Sequence, residues 1–431
     1  MKHIKIRNFG PLRNVDIDLS QINLIIGLQS SGKSCAMIVA CYCSWVEKRI
    51  VLRQSAKEFF DGDYFIAGLI SYYHAKGYVW PDTYIAYSSP YMSFEYDNSK
   101  PMFKHEWNTQ RWNYKRPKVS YVPAERNMIS LVSNWDRLET SYDNILDFKA
   151  DFDIAKKFIK KEHDILGTGI SYEYDEISGA DAIVVNGVRL DLMNSSSCVQ
   201  SLIPLFVHLH YLDKHIYKAE KTGKEKTFSE KQLSNNLLNV LYERIFNNVD
   251  EKNVYGNHVI VHIEGKDYVF PNDKSAAKFK KSADRLLNTN HAEIFLEEPE
   301  SNLFPPTQFQ LMNMVVDMLN SKTHKNFFFI ATHSPYVLSH LLQEKIENFK
   351  LFLTYPVEGG YNIKTASEQD IQDIYDNGAD LFAMILDNEE LQRFRNTLKY
   401  LMNKQYEVDI DIVKSFFDGR LTKIDLPTYL G

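Results

Sequence analysis

The sequence predicts an α/β fold built on a mixed central sheet, and three observations carry that prediction. Ile22–Ile26, Glu293–Leu296 and Asn326–Thr332 are dominated by apolar residues, as strands buried on both faces are, and each ends in polar or glycine-rich chain. The stretch from Gly27 to Ser34 follows the first of these runs directly and opens a helix. Alternating apolar and polar segments elsewhere supply antiparallel strands.

In chain order, His3 to Asn8 and Val15 to Leu19 alternate around a Gly10-Pro11 break, which reads as two strands and a turn. The nearly apolar Cys35 to Val46 reads as a buried helix behind the glycine-rich loop. Residues 58–118 are dense in aromatics and read as an insertion containing a hairpin, the rings serving for packing rather than for stacking on bases. Asn186-Gly187, between Ile183–Val185 and Val188–Leu190, is the sequence of a type I′ hairpin turn. A helical region is expected from Ser201, then a polar connection over Lys214–Lys231, strands at His258–Ile263 and Asp267–Phe270, and a basic helix over Lys274–Leu287. The expected division is a head over 1–345, carrying insertions at 58–118 and 205–290, and a short segment over 346–431 that is below the ~100–150 residues of a typical domain. Neither a heptad repeat nor a long coiled coil is expected.

Bulk properties narrow the function classes. With 44% hydrophobic and 25% charged residues in 431, disordered, collagen-like and coiled-coil classes fit badly. A net charge of −6 means that any contact with nucleic acid must come from a local basic patch, the candidates being Lys156, Lys157, Lys160 and Lys161 and, further on, Lys278, Lys280, Lys281 and Arg285. The Cys35–Val46 run is shorter than the ~18 residues of a membrane span, and the N-terminus lacks a signal-like apolar stretch, so a cytoplasmic protein without a membrane anchor is expected. Cys35, Cys41, Cys43 and Cys198 form no CxxC pair, which suits free thiols.

Five stretches carry chemistry. Gly27-Leu28-Gln29-Ser30-Ser31-Gly32-Lys33-Ser34, followed by Cys35, fits GxxxxGK[ST] between a buried strand and a helix. In that motif backbone N–H groups and the helix N-terminus cradle phosphate oxygens, the lysine places a cation beside them, and the final hydroxyl faces Mg²⁺. Ile294-Phe295-Leu296-Glu297-Glu298-Pro299-Glu300 is a buried strand ending in carboxylates, and Phe327 to Pro335 is another ending at His333, with Ser334 and Pro335 suited to start a helix. Asn194 to Leu202 is a serine-rich helix start, where a plain helix cap is the alternative to anion binding. Tyr121-Val122-Pro123-Ala124-Glu125-Arg126 completes the set, with Arg126 open between a phosphate and an acidic partner.

These islands, in this order, resemble an ABC-type ATPase head of the SMC, RecF and OLD class. The resemblance implies ATP and Mg²⁺ as ligands: Gly27 to Cys35 around the phosphates, Ser34 and Glu297 toward the metal (Glu297 through water), and Glu298 on the attacking water. It implies His333 as the residue that senses the γ-phosphate, and Ser301 and Asn302 as a D-loop at a dimer interface. It further implies Ser196, Ser197 and Gln200 as a signature segment reaching the nucleotide of a second copy, although Cys198 stands where a glycine is usual. A homodimer through the nucleotide sites follows, with room for higher assembly. Gln110 is the one candidate for a Q-loop. Glu-Glu-Pro-Glu and the Leu28-Gln29 variant look like stand-alone OLD-type and Septu-type defence ATPases, which implies a sensor for a separate effector such as a nuclease. A RecF-like protein that clamps DNA directly is the alternative.

Overall fold

A computed structural model describes residues 1–132, 143–159, 161–162, 164–219, 228–246, 258–344 and 346–376, and every structural statement below concerns these. Lys160 of the first basic patch, parts of the 205–290 and Lys214–Lys231 stretches, and most of the 346–431 segment lie outside them.

β1 (Lys2–Phe9) and β2 (Leu12–Leu19) pair antiparallel, with Ile4 opposite Ile17 and Ile6 opposite Val15. That register puts all four side chains on the buried face, the outcome the alternation demands. β3 (Ile22–Ile26) is buried at every position and leads into α1 (Lys33–Arg53), whose residues from Cys35 to Ser44 are all buried. α2 (Lys57–Phe60) and α3 (Gly62–Tyr72) follow, then a meander of β4 (Val79–Ser88), β5 (Met92–Asp97) and β6 (Met102–Trp107). β4 pairs with β1, so the aromatic-rich stretch continues the main sheet and also contains helices. Its aromatics do pack on one another: the Phe103 ring lies 5.3 Å from those of Phe59, Phe65 and Phe94.

β7 (Pro117–Val122), α4 (Met128–Leu131) and α5 (Asn144–Phe158) lead to a four-stranded antiparallel sheet of β8 (Lys161–Glu162), β9 (Ile170–Tyr174), β10 (Asp181–Val185) and β11 (Val188–Asp191). Asn186 and Gly187 turn β10 into β11 with φ of 50° and 78°, as a type I′ turn requires. The next helix starts earlier than Ser201: α6 spans Ser197–Lys214, because Ser196 already has the extended backbone of an N-cap. α7 (Ile216–Ala219), α8 (Phe228–Phe246), the β12 (Val259–Ile263) and β13 (Lys266–Phe270) hairpin and α9 (Asp273–Leu287) complete the middle of the chain. α8 packs on α1 and α9 on α8.

The last part holds β14 (His291–Glu297), α10 (Pro305–Leu319), β15 (Lys325–Thr332), α11 (Pro335–Gln343), β16 (Phe349–Val357), β17 (Gly360–Thr365) and α12 (Glu368–Asp376). The eleven-stranded sheet runs β6-β5-β4-β1-β2-β17-β16-β3-β15-β14-β7. β16, β3, β15, β14 and β7 are mutually parallel neighbours, while β1, β2, β4, β5 and β6 are antiparallel, so the sheet is mixed as expected. β16 lies between β17 and β3, so the central sheet continues through residue 365, past the expected division at 345/346. Pairing across hundreds of residues carries no local signal, which is why the sequence offered no reason to join them.

The longest helix among the described residues is α1, at 21 residues, and none is long and apolar enough to cross a membrane. Cys35, Cys41 and Cys43 are buried and free, as is the half-buried Cys198; burial pushes the Cys41 and Cys43 thiols well above their usual range, which makes them packing groups.

Candidate active site

Parallel pairing aligns the C-terminal ends of β3, β14 and β15: Ile26 is level with Thr332, and Ala331 with Glu297. The glycine-rich loop, the carboxylates and His333 therefore emerge along one rim, the usual place for ligand binding in such sheets.

The loop is shaped by close packing. A Cβ on Gly27 would lie 1.7 Å from Thr354 Oγ1 of β16, and one on Gly32, whose φ is +90°, would lie 2.5 Å from Leu12 Cδ2. Only glycine fits either position. The Thr354 hydroxyl donates to Ser31 Oγ at 2.8 Å, and Ser31 Oγ donates to the Leu28 carbonyl at 2.7 Å, bracing the loop from inside. Gln29 and Ser30 are exposed at its tip, where Ser30 takes φ 60°. Gly32 is the N-cap of α1 and supplies no side-chain cap, so the first-turn N–H groups are left for an anion.

Lys33 folds over the loop, its Nζ 2.8 Å from the Leu28 carbonyl and 3.2 Å from that of Gly27. Burial lowers its pKa to about 8, against the opposing pull of Glu298, Glu300 and Glu297. A partly desolvated ammonium among carbonyls, beside three acids, is a cation ready for phosphate.

The acids are held differently from one another. Glu297 is held above the usual carboxylate range by burial, although Ser34 and Tyr121 hydrogen-bond to it; the Tyr121 hydroxyl donates at 2.5 Å. Ser34 and Glu297 thus meet side by side, and a buried carboxyl paired only with hydroxyls suits a divalent cation with its water shell. Glu298 takes φ 40°, its N–H bonded to the Ala331 carbonyl at 2.8 Å. Its Oε1 lies 3.4 Å from His333 Nε2, and its Oε2 accepts from Ser301 Oγ at 2.9 Å; the histidine and serine contacts hold this carboxyl below its usual range. It is partly exposed and ionised, the condition of a general base for water.

Glu300 and Arg126 are the functional supports that sequence reasoning left without a role. Glu300 Oε1 accepts from Thr332 Oγ1 at 2.6 Å and from the His333 N–H at 2.8 Å, which fixes where the histidine leaves β15. Arg126 is 0% exposed, and its guanidinium bonds to backbone carbonyls. Its Nη1 donates to the carbonyls of Pro123 (3.3 Å) and Glu297 (3.2 Å), and its Nη2 to those of Glu298 and Pro299, both at 3.0 Å. The guanidinium fork holds the strained turn in which Glu298 sits. Arg126→Ala strands these carbonyls and destabilises the protein by about 3 kcal/mol in urea unfolding, and Arg126→Lys recovers little because a point cation cannot span the turn.

Ser301 and Asn302 join Glu298 to α6. Ser301 bonds Glu298 as above, and Asn302, at φ 65°, donates to Ser201 Oγ at 3.0 Å. Ser196 and Ser197 are exposed at the N-terminus of α6, and the Ser196 side chain makes no capping bond. Gln200 is turned inward: its Nε2 donates to the carbonyls of Met193 (2.8 Å) and Ser195 (3.0 Å), tying down the loop that presents the serines. Gln110 follows β6, the edge strand at the opposite side of the sheet from this row, and is exposed. Of these supports, Arg126 and Tyr121 lay in the Tyr121–Arg126 island, Glu300 closed the acidic run, and Ser301, Asn302 and Gln200 stood in the stretches already singled out; Thr354 carried no sequence signal.

No family model matches the chain, and no curated protein does. Among solved structures, the SMC head domain from Thermotoga maritima overlaps with a TM-score of 0.39 at 10% identity, covering 85% of this chain and 98% of that one. An Smc head domain with an extended coiled coil, bound to the C-terminal domain of ScpA and derived from Pyrococcus furiosus, overlaps at 0.29 and 11%, covering 88% and 99%. A RecF recombination mediator structure in the RecFOR pathway overlaps at 0.29 and 12%, covering 85% and 97%. At these values the overlaps assign no function.

Proposed function

We propose that this chain binds ATP with Mg²⁺ and hydrolyses it, as an ABC-type ATPase head of the SMC, RecF and OLD class working between two copies of itself. The observation that carries the reading is Glu298, an ionised carboxylate held between Ser301 and His333 on the rim where Lys33 meets the acids. Lys33 and the α1 N-terminus hold the β- and γ-phosphates, and Mg²⁺ would be held by the Ser34 hydroxyl and, through water, by Glu297. Bound Mg²⁺ supplies positive charge to the phosphate oxygens. Glu298 orients the attacking water and takes its proton, while His333 donates toward the γ-phosphate and keeps Glu298 in place.

The second copy enters through Ser196 and Ser197. No hydrogen bond among the described residues joins them to the phosphate loop of their own chain, and their exposed, uncapped helix start suits an anion presented by another molecule. Mixing Lys33→Ala chains with chains whose Ser196 and Ser197 are made bulky tests this. Neither variant hydrolyses ATP alone, and the mixture regains activity because one composite site in each mixed dimer is intact. Full activity from the serine variant alone would show that these residues only start a helix.

The partner reading follows from the resemblance to stand-alone OLD-type and Septu-type ATPases: nucleotide state in a cytoplasmic dimer, or a higher assembly of it, controls a separate effector such as a nuclease in defence or DNA surveillance. Direct DNA clamping is supported by the exposed Lys278, Lys280 and Lys281 on α9. It is weakened at the other patch, where Lys156 pairs with Asp153 and Asp181 and Lys161 with Glu173.

A further inference from the structure

At the opposite ends of the strands that carry the site lies a cavity of about 660 Å³, between β1, α1 and the starts of β14 and β15. Glu293 lines it and Glu297 belongs to the rim above, about 13 Å away along β14 at the usual rise per residue. The cavity is therefore separate from the nucleotide site, and its assignment does not rest on that reading.

Burial orders its lining in depth. Glu47, Glu293, Ser44 and Tyr114 are buried at the floor, whereas Lys115 and Lys325 are exposed at the mouth. On the floor, Lys2 Nζ reaches the two Glu293 oxygens at 2.6 and 2.7 Å and Ser44 Oγ at 3.0 Å, but Glu47 only at 3.6 Å. His291 Nε2 adds a contact to Glu293 at 3.3 Å. Glu293 is thereby satisfied. Glu47 is left with the hydroxyls of Tyr87 and Ser89 and a share of one ammonium, and burial holds its carboxyl above the usual range. Two carboxylates facing one fixed cation leave a place for a second.

A separate observation points to the same spot. Tyr114 is 1% exposed and lines the cavity, yet its hydroxyl has no hydrogen-bond partner. It lies within electrostatic reach of both carboxylates. A buried hydroxyl without a partner is costly, and a ligand group that supplies one removes the cost. Tyr91, with its ring 5.0 Å from that of Tyr114, and Phe327 give aromatic walls suited to an ammonium and to apolar carbon.

We propose that this cavity binds an amino-acid-type zwitterion with a large side chain, its ammonium against Glu47 and the Tyr114 hydroxyl and its carboxylate toward Lys115 and Lys325. The volume is in the range of small-ligand sites, and the acidic floor beneath a basic mouth matches a zwitterion better than a simple cation or anion. Occupancy would press on the starts of β14 and β15, the strands that carry Glu297 and His333 toward their ends.

Isothermal titration of the full chain with the standard L-amino acids, and with the amine and N-acetyl forms of any that bind, tests the proposal. Saturable binding of at least one large-side-chain amino acid is expected, weakened at least tenfold by N-acetylation, by loss of the carboxylate, by Glu47→Gln and by Tyr114→Phe. Tyr114→Phe removes only an unpartnered oxygen, so its melting temperature should match or exceed that of the parent, which separates lost binding from lost folding. No binding across the set overturns the proposal. So does binding that both variants leave unchanged, or an amine that binds as well as its parent amino acid.

Discussion

Lys33→Ala lowers ATP affinity by about 100-fold in calorimetric titration, the scale expected when a buried cation is taken from a phosphate. The alanine also leaves the carbonyls of Gly27 and Leu28 facing the anion without the ammonium that now covers them. A linked proton effect accompanies binding. Burial lowers the free-state pKa of Lys33 to about 8, and phosphate oxygens favour the charged form, so the bound-state value is higher. Binding near pH 8 to 9 thus takes up a proton, and affinity falls as pH rises through the free-state value and on toward the bound-state one. Titration in buffers of different ionisation enthalpy reads that uptake, which Lys33→Ala abolishes. Unchanged affinity in the variant would remove the phosphate role from the loop.

Glu298→Gln leaves ATP binding within a few-fold of the parent and lowers the hydrolysis rate by about 10³, the range lost when a general base is removed. The amide keeps the contact with Ser301 and sits in the same turn, so the structure around it survives. It cannot take a proton from water. With hydrolysis stopped, the ATP-bound dimer outlives the chromatographic run and elutes earlier than the parent with ATP. Parent-like turnover in the variant would transfer the water to Glu297, whose burial and hydroxyl partners favour the metal role. The two acids differ because β14 points Glu297 back against Tyr121 on β7, whereas the positive φ of Glu298 turns its carboxylate outward to His333.

Much of this was legible along the chain because the decisive features are local. The glycine-rich loop has its glycines, lysine and serine within one short stretch between a strand and a helix. Consecutive carboxylates after an apolar strand announce themselves in the same way. The alternation in β1 and β2 and the Asn186-Gly187 turn are short-range too, and each appeared where it was expected. α6 begins at Ser197, inside the serine-rich Asn194–Leu202 start and ahead of the helical region expected from Ser201, because Ser196 acts as N-cap without a side-chain bond.

By itself, then, the sequence determined the α/β class, the glycine-rich loop between strand and helix and the carboxylates that end a buried strand, since these depend on neighbours a few residues apart. Only the tertiary structure decided what those groups rest on. Arg126 reaches carbonyls 171 to 173 positions later, Thr354 wedges under a glycine more than three hundred positions earlier, and β16 and β17 complete the sheet from beyond the expected head. Such contacts are set by the register of parallel strands and by the filling of space between them, and both depend on the whole packed core rather than on any short stretch of chain.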